Sequence, residues 1–343
     1  VPSTLTIGTT NQPVTITNTF TVGSVQVTKA IADGLGLLAP WKDTVYEFTL
    51  SCTKDFNGDG TAESFPVPNP VKTVTGPGSV IWAGLPTGAS CAAAETGITY
   101  PAGTPTQPAP VVTSTGGVTI AAGETKGQTL SNTFSTAKVQ ITKTITGDAA
   151  TTWGTGPFTF TVACTLGGSG SVFSKDVTLT PSAGQTSLAS AELGPIPPGS
   201  NCLVTETSSA GATSVEPASR QVALTQLEAN KTTPAAFTNE FRFAGFTVTK
   251  SVVSAALDAN GKPIAYDPAS FTASCLFKGA EVLTNPSDRA FTLADKQSHS
   301  FAGLPSGAAC TVTETGTAGA ASTEVTITQD AASSTTTATT AKF

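Results

Sequence analysis

VQVTK (Val25–Lys29), VQITK (Val139–Lys143) and FTVTK (Phe246–Lys250) are three copies of one pattern, in which apolar and polar residues alternate and a lysine follows. A period of two marks a strand with one face buried. The lysines, at 29, 143 and 250, stand 114 and 107 residues apart, so each copy opens a unit of ordinary domain size. Outward from it, FTLSC (Phe48–Cys52) recurs as FTVAC (Phe160–Cys164) and FTASC (Phe271–Cys275). GLPTGASCAAAET (Gly84–Thr96) recurs as PIPPGSNCLVTET (Pro195–Thr207) and GLPSGAACTVTET (Gly303–Thr315). TNTF (Thr17–Phe20) recurs as SNTF (Ser131–Phe134) and TNEF (Thr238–Phe241).

These blocks are separated by Pro- and Gly-rich joints such as Gly76–Gly78 and Pro197–Gly199, where the chain must reverse. No helical stretch stands out. About seven short strands per unit, with turns between them, predict an all-β chain of tandem immunoglobulin-like sandwiches. The expected units are 23–135, 136–242 and 243–343, preceded by residues 1–22 as the final strand of an earlier or donated unit. Phe343 aligns with Phe237, which leaves the third unit without its last strand. Short links between units, as from Phe134 to Val139, suggest an extended, semi-rigid rod.

Composition narrows the function. Seventeen Lys+Arg against 23 Asp+Glu give a net charge of −6, with no basic block to neutralise phosphates, so a nucleic-acid partner is not expected. One His leaves little scope for zinc or His-dependent acid–base chemistry. No run of about 18 apolar residues spans a membrane. Neither a signal peptide nor an initiator Met opens the chain, which reads as processed or as part of a longer one. The 63 Thr fit strands that are stiff and soluble.

Six Cys fall one pair to a unit: Cys52 and Cys91, Cys164 and Cys202, Cys275 and Cys310. An even count in repeat register, with no CxxC and no nearby His, is a disulfide pattern rather than a metal or thiol site. Such disulfides persist outside the cytoplasm, which predicts an extracellular or cell-surface location.

Three polar residues also keep register. A Lys ends the first strand (Lys29, Lys143, Lys250). A Glu lies four residues past the second Cys (Glu95, Glu206, Glu314). An Asn opens the last strand (Asn132, Asn239, and Asn18 in the leading segment). As isolated residue types they read as an edge lysine, a surface charge and a turn former. As a set on apolar strands they read as a buried, paired cluster.

In these positions the chain resembles the CnaB-type, reverse-immunoglobulin repeats of Gram-positive surface adhesins and pilins, including actinobacterial repeats that add a Cys pair. The resemblance rests on the VTK-like first strand, the ET motif and the NTF-like text, and it covers nearly the whole chain. It implies spontaneous Lys29–Asn132 and Lys143–Asn239 isopeptide bonds, promoted by Glu95 and Glu206. Burial favours a neutral, nucleophilic lysine and a protonated carboxyl that can relay a proton. It further implies a stalk or shaft of a wall-attached fibre whose partners are neighbouring copies. In that reading Asn18 of one chain could serve Lys250 and Glu314 of the next by donor-strand exchange. The competing expectation is an adhesive module whose loops, such as Tyr100–Pro110, grip a host protein or glycan. No cofactor and no enzymatic turnover are expected.

Asp55, Asn57, Asp59 and Glu63 are spaced like the oxygens of a calcium loop, but Pro66 stands where an EF-hand places its bidentate Glu, and a hairpin turn is the favoured reading. Asp258–Lys262 is read as another turn. His299, in a polar stretch, is expected to be exposed. Trp82 is expected in the core, and Trp41 and Trp153 in loops as candidate exposed contacts. The Ser/Thr/Ala-rich tail Ala331–Thr340 is expected to be mobile when nothing pairs with it.

Overall fold

The computed structural model describes residues 8–9, 11, 13–32, 35, 41–104, 107–167, 170–317, 319–329, 332–337 and 340–342. The chain is built of strands, with only short helical turns at Trp41–Asp43, Ala150–Trp153 and Pro286–Arg289 among the described residues. It divides into two compact units, Val1–Thr136 with Leu166–Val172, and Ala137–Thr165 with Phe173–Phe343.

In the first unit, one sheet runs in the order Gly78–Pro86, Val22–Ile31, Thr125–Thr133, Val111–Ser114. The facing sheet runs Glu63–Phe65, Val45–Lys54, Ser90–Thr99, Val118–Thr119. Inward residues of both sheets, among them Val25, Val27, Phe48, Leu50, Trp82 and Leu130, form one core. The first strand of the repeat pairs in parallel with the last, Lys29 standing beside Leu130 and Ile31 beside Asn132. A parallel pair needs a long crossover, and here the whole repeat serves as that crossover.

The second unit holds the next two repeats. Ala137–Thr146 again pairs in parallel with Thr232–Glu240, Lys143 beside Phe237 and Ile145 beside Asn239. Its facing sheet is centred on Phe158–Thr165 and Asn201–Ser208. The loop after the first strand closes over Phe241 at the end of the last. Gly147 has φ +96, and a Cβ there would lie 2.0 Å from the Phe241 carbonyl oxygen, so only glycine fits. In the third repeat Phe243–Thr249 pairs with Ser298–Pro305, and Ala269–Phe277 pairs with Ala309–Gly316, around Phe271, Leu293, Phe301 and Val312. In the tail, Ala332–Thr337 forms a hairpin with Glu324–Gln329, a partner that lets its Ser- and Thr-rich segment pair as a strand.

All six Cys are paired, Cys52–Cys91, Cys164–Cys202 and Cys275–Cys310, with Cα–Cα distances of 4.1, 4.0 and 4.0 Å. Each bond joins residues directly opposite each other on two adjacent antiparallel strands. Replacing Cys164 and Cys202 together by Ser should lower the stability of the second repeat by about 3–4 kcal/mol, read as a lower urea midpoint for that repeat. An unchanged midpoint would show that the staple adds nothing there.

Candidate functional site

Strand alternation puts the polar triads inside. In Val139, Ile141, Lys143 and Ile145 every inward position is apolar except the lysine, and the same holds for Val25, Val27 and Lys29. On the facing sheet Cys202 and Val204 lead to Glu206, and on the last strand Ala235 and Phe237 lead to Asn239. Lys143 and Asn239 are 0% exposed and Glu206 2%.

Lys143 Nζ lies 2.8 Å from Glu206 Oε1, and Asn239 Nδ2 donates to that same oxygen at 2.9 Å. In the first repeat Lys29 Nζ lies 2.7 Å from Glu95 Oε2, while Asn132 Nδ2 donates to Glu95 Oε1 at 2.8 Å. Asn132 Oδ1 and Asn239 Oδ1 are buried with no donor. Such an acceptor ordinarily costs about 1–3 kcal/mol, so both sites hold an amide whose carbonyl is unsatisfied.

The lysines sit over aromatic rings. Lys29 Nζ is 4.6 Å from the centre of Tyr46, and Lys143 Nζ is 5.0 Å from Phe158, 5.9 Å from Phe160 and 6.0 Å from Phe237. Burial depresses both amines below the ordinary lysine value, although each glutamate's hydrogen bond and charge pull the other way; near Lys143 the Arg220 charge adds a further lowering. In the third repeat Lys250 Nζ lies 2.7 Å from Glu314 Oε1, with side chains 17% and 6% exposed. Ala269, two residues before Phe271, stands where Phe158 stands two before Phe160.

Each triad is braced differently. In the first repeat the buried Gln128 side chain accepts from Ala93 N–H at 2.8 Å and donates to the Ala93 carbonyl at 3.0 Å, bridging the two sheets beside Glu95 and Asn132. In the second, Asn239 Nδ2 also donates to the Ser209 carbonyl at 3.2 Å. Sequence reasoning missed both braces, and it missed the rings. A Y-x-F and F-x-F spacing, Tyr46–Phe48 and Phe158–Phe160, was the available signal for the rings.

The structure corrects several expectations. Asn132 and Asn239 close the last strands, Thr125–Thr133 and Thr232–Glu240, rather than opening them. The lysines at 29 and 143 lie two and three residues inside their strands rather than at the ends. Trp41 is buried at 1% exposure, and Trp153 packs edge-on against Phe277. His299 is half-buried: it stacks on Phe291 at 4.4 Å and meets Asp288 at 2.9 Å, because it faces inward across from the Ala290–Leu293 segment. Lys138 and Glu240, neighbours of the triads in sequence, point away and pair on the surface with Glu192 and Arg242. Asn18 lies exposed, outside any strand. Asp55, Asp59 and Glu63 bring carboxylate oxygens within 4.8 Å of one another, and these oxygens accept from the loop's own N–H groups and from the Asn57 amide. Asp258 likewise caps its own turn, accepting from Asn260 and Lys262 N–H.

A family model described as "Domain of unknown function (DUF5979)" matches three times, over residues 25–135, 139–242 and 246–343. The chain belongs to the DUF5979 family. Its three DUF5979 repeats are similar to several solved structures. One is the Bacillus anthracis TIE protein, at 16% identity and TM-score 0.31, covering 88% of this chain and 46% of that one. Another is two B repeat units of the collagen-binding protein of Staphylococcus aureus, at 16% identity and TM-score 0.28, covering 93% of this chain and 75% of that one. A third is the major pilin protein (T-13) from Streptococcus pyogenes, at 15% identity and TM-score 0.31, covering 64% and 97%. The chain thus spans less than half the length of the TIE protein. Comparison with curated proteins returns no match.

An Asn132→Ala/Asn239→Ala chain leaves Lys29 and Lys143 with no neighbouring side-chain amide and gives a pH test. Between the depressed lysine values and the ordinary 10.5, the folded chain binds fewer protons than the unfolded chain. Its stability therefore rises with pH through that interval and levels off above it. Urea midpoints measured from neutral pH to 10.5 should climb, and adding Lys29→Met and Lys143→Met should flatten the climb.

Proposed function

We propose that this DUF5979 chain is a structural segment, stalk or shaft, of an extracellular fibre on a Gram-positive cell surface, with Lys29–Asn132 and Lys143–Asn239 isopeptide bonds locking its first two repeats. The observation that carries the reading is the buried contact of a first-strand Lys, a facing-sheet Glu and a last-strand Asn in the first and second repeats. The disulfides support placement outside the cytoplasm.

The chemistry follows from the contacts. Proton transfer from Lys143 to Glu206 leaves two neutral groups, which burial favours. The protonated carboxyl remains against Asn239 Nδ2, 2.9 Å away, placed to protonate the leaving nitrogen. Nζ attacks Cγ; the Nζ–Cγ bond forms, the Cγ–Nδ2 bond breaks, and Glu206 shuttles an Nζ proton to Nδ2. One ammonia leaves and an amide remains, once per repeat.

Such a bond ties the strand where the chain enters a repeat to the strand where it leaves. Tension passes through the amide, and residues 144–238 are bypassed. For the third repeat, the Lys250–Glu314 pair would take Asn18 from a neighbouring copy, whose Ile16 and Phe20 are both 84% exposed while their repeat counterparts Leu130 and Phe134 are buried.

Intact-mass and peptide mapping of the full chain should find one ammonia missing at each of Lys29–Asn132 and Lys143–Asn239, and none missing at the second site in Lys143→Ala. A wild-type mass equal to the bare sequence less its disulfide hydrogens sinks the crosslink. A heat- and reductant-resistant ladder on denaturing gels, abolished by Asn18→Ala, is expected for the strand exchange; a lone monomer band removes it.

A further inference from the structure

The hairpin that joins Ala269–Phe277 to Ala280–Glu281 turns through Lys278 and Gly279, with φ of +53 and +77. Phe277 at its tip is 8% exposed, yet it is absent from the residues that make the third repeat's core. What buries it belongs to the second repeat. Trp153 meets it edge-on at 5.8 Å, and Gly211 lies so close that a Cβ there would stand 2.7 Å from Phe277 Cζ. Lys278 Nζ donates to the Gly156 carbonyl at 3.3 Å, and Trp153 Nε1 to the Gly303 carbonyl at 3.4 Å.

The loop that Phe277 presses on is part of the second triad. Ala210 and Gly211 hold φ of +55 and +79, and Ala212 N–H donates to the Ser209 carbonyl at 3.2 Å, closing a tight turn. That same carbonyl accepts from Asn239 Nδ2. Two acceptors, Glu206 Oε1 and Ser209 O, therefore fix the plane of the amide that Lys143 must attack. Asn132 Nδ2 donates to Glu95 Oε1 at 2.8 Å.

We propose that Phe277 of the third repeat is a positioning residue for the Lys143–Asn239 crosslink of the second, acting through Gly211 and the Ser209 carbonyl. The inference rests on the crosslink reading above. It makes closure of one repeat depend on docking of the next: the Ser208–Ala212 turn is held once the hairpin tip is seated, and the amide is then aligned. Reactions of this kind are sensitive to placement, with about 1 Å of error costing up to about 10²-fold in rate.

The test is a time course on the full chain made by cell-free synthesis, following the Lys143–Asn239 peptide by mass spectrometry against the Lys29–Asn132 peptide of the same molecules. Phe277→Ala should slow the second crosslink by about tenfold or more and leave the first unchanged, with Cys164–Cys202 and Cys275–Cys310 still formed. Phe277→Leu, which refills the slot, should restore most of the rate. Equal second-site rates in wild type and Phe277→Ala overturn the inference while leaving the crosslink standing. Equal slowing of both sites, or loss of the disulfides, marks general misfolding and also overturns it. If wild type itself retains the ammonia at Asn239, the crosslink reading falls and this inference with it.

Discussion

A lysine amine held away from water is the constraint around which the first two repeats are built. An unpaired ammonium in an apolar core is prohibitively costly, so the fold must supply either a counter-charge or a route to neutrality. Glu95 and Glu206 supply the first from the facing sheet, and the rings of Tyr46 and Phe158 shape the space between. Parallel pairing of first and last strands then sets the amide one inward step beyond the lysine's own neighbour. A one-residue slip would put Lys and Asn on opposite faces of the sheet.

Much of this was legible because strands obey a period of two. V-x-V-x-K, C-x-V-x-E and A-x-F-x-N each place a polar residue third in an inward series, and the burial of Lys143, Glu206 and Asn239 follows that arithmetic. The position of Asn within its strand was harder. SNTF reads as a turn leading into a strand, and only the pairing with Ile31 and Ile145 shows the strand arriving from the other side. His299 misled through its polar sequence neighbours, which alternate outward while it faces Phe291. Phe277 could not be read at all, since its burial depends on a glycine and a tryptophan in a different repeat.

The repeats solve one problem with different parts. The first pins its two sheets with a buried Gln128, whose amide imitates a strand partner for Ala93. The second has Ala235 at the corresponding place and holds its asparagine with the Ser209 turn instead. The first two repeats keep their Lys, Glu and Asn in contact under a shared geometric demand. The surrounding braces are free to drift, provided each copy still holds its amide steady.

The parallel contact between first and last strands also sets an order in time. A chain delivered N-terminus first presents Val22–Ile31 long before Thr125–Thr133 exists to pair with it. Most of the repeat must emerge before its longest-range pairing can form, and topologies of that kind close slowly. Until then the first strand lacks its parallel neighbour and the repeat stays open along that edge. Once the last strand arrives, the first strand is paired along both of its edges and the repeat closes as one unit.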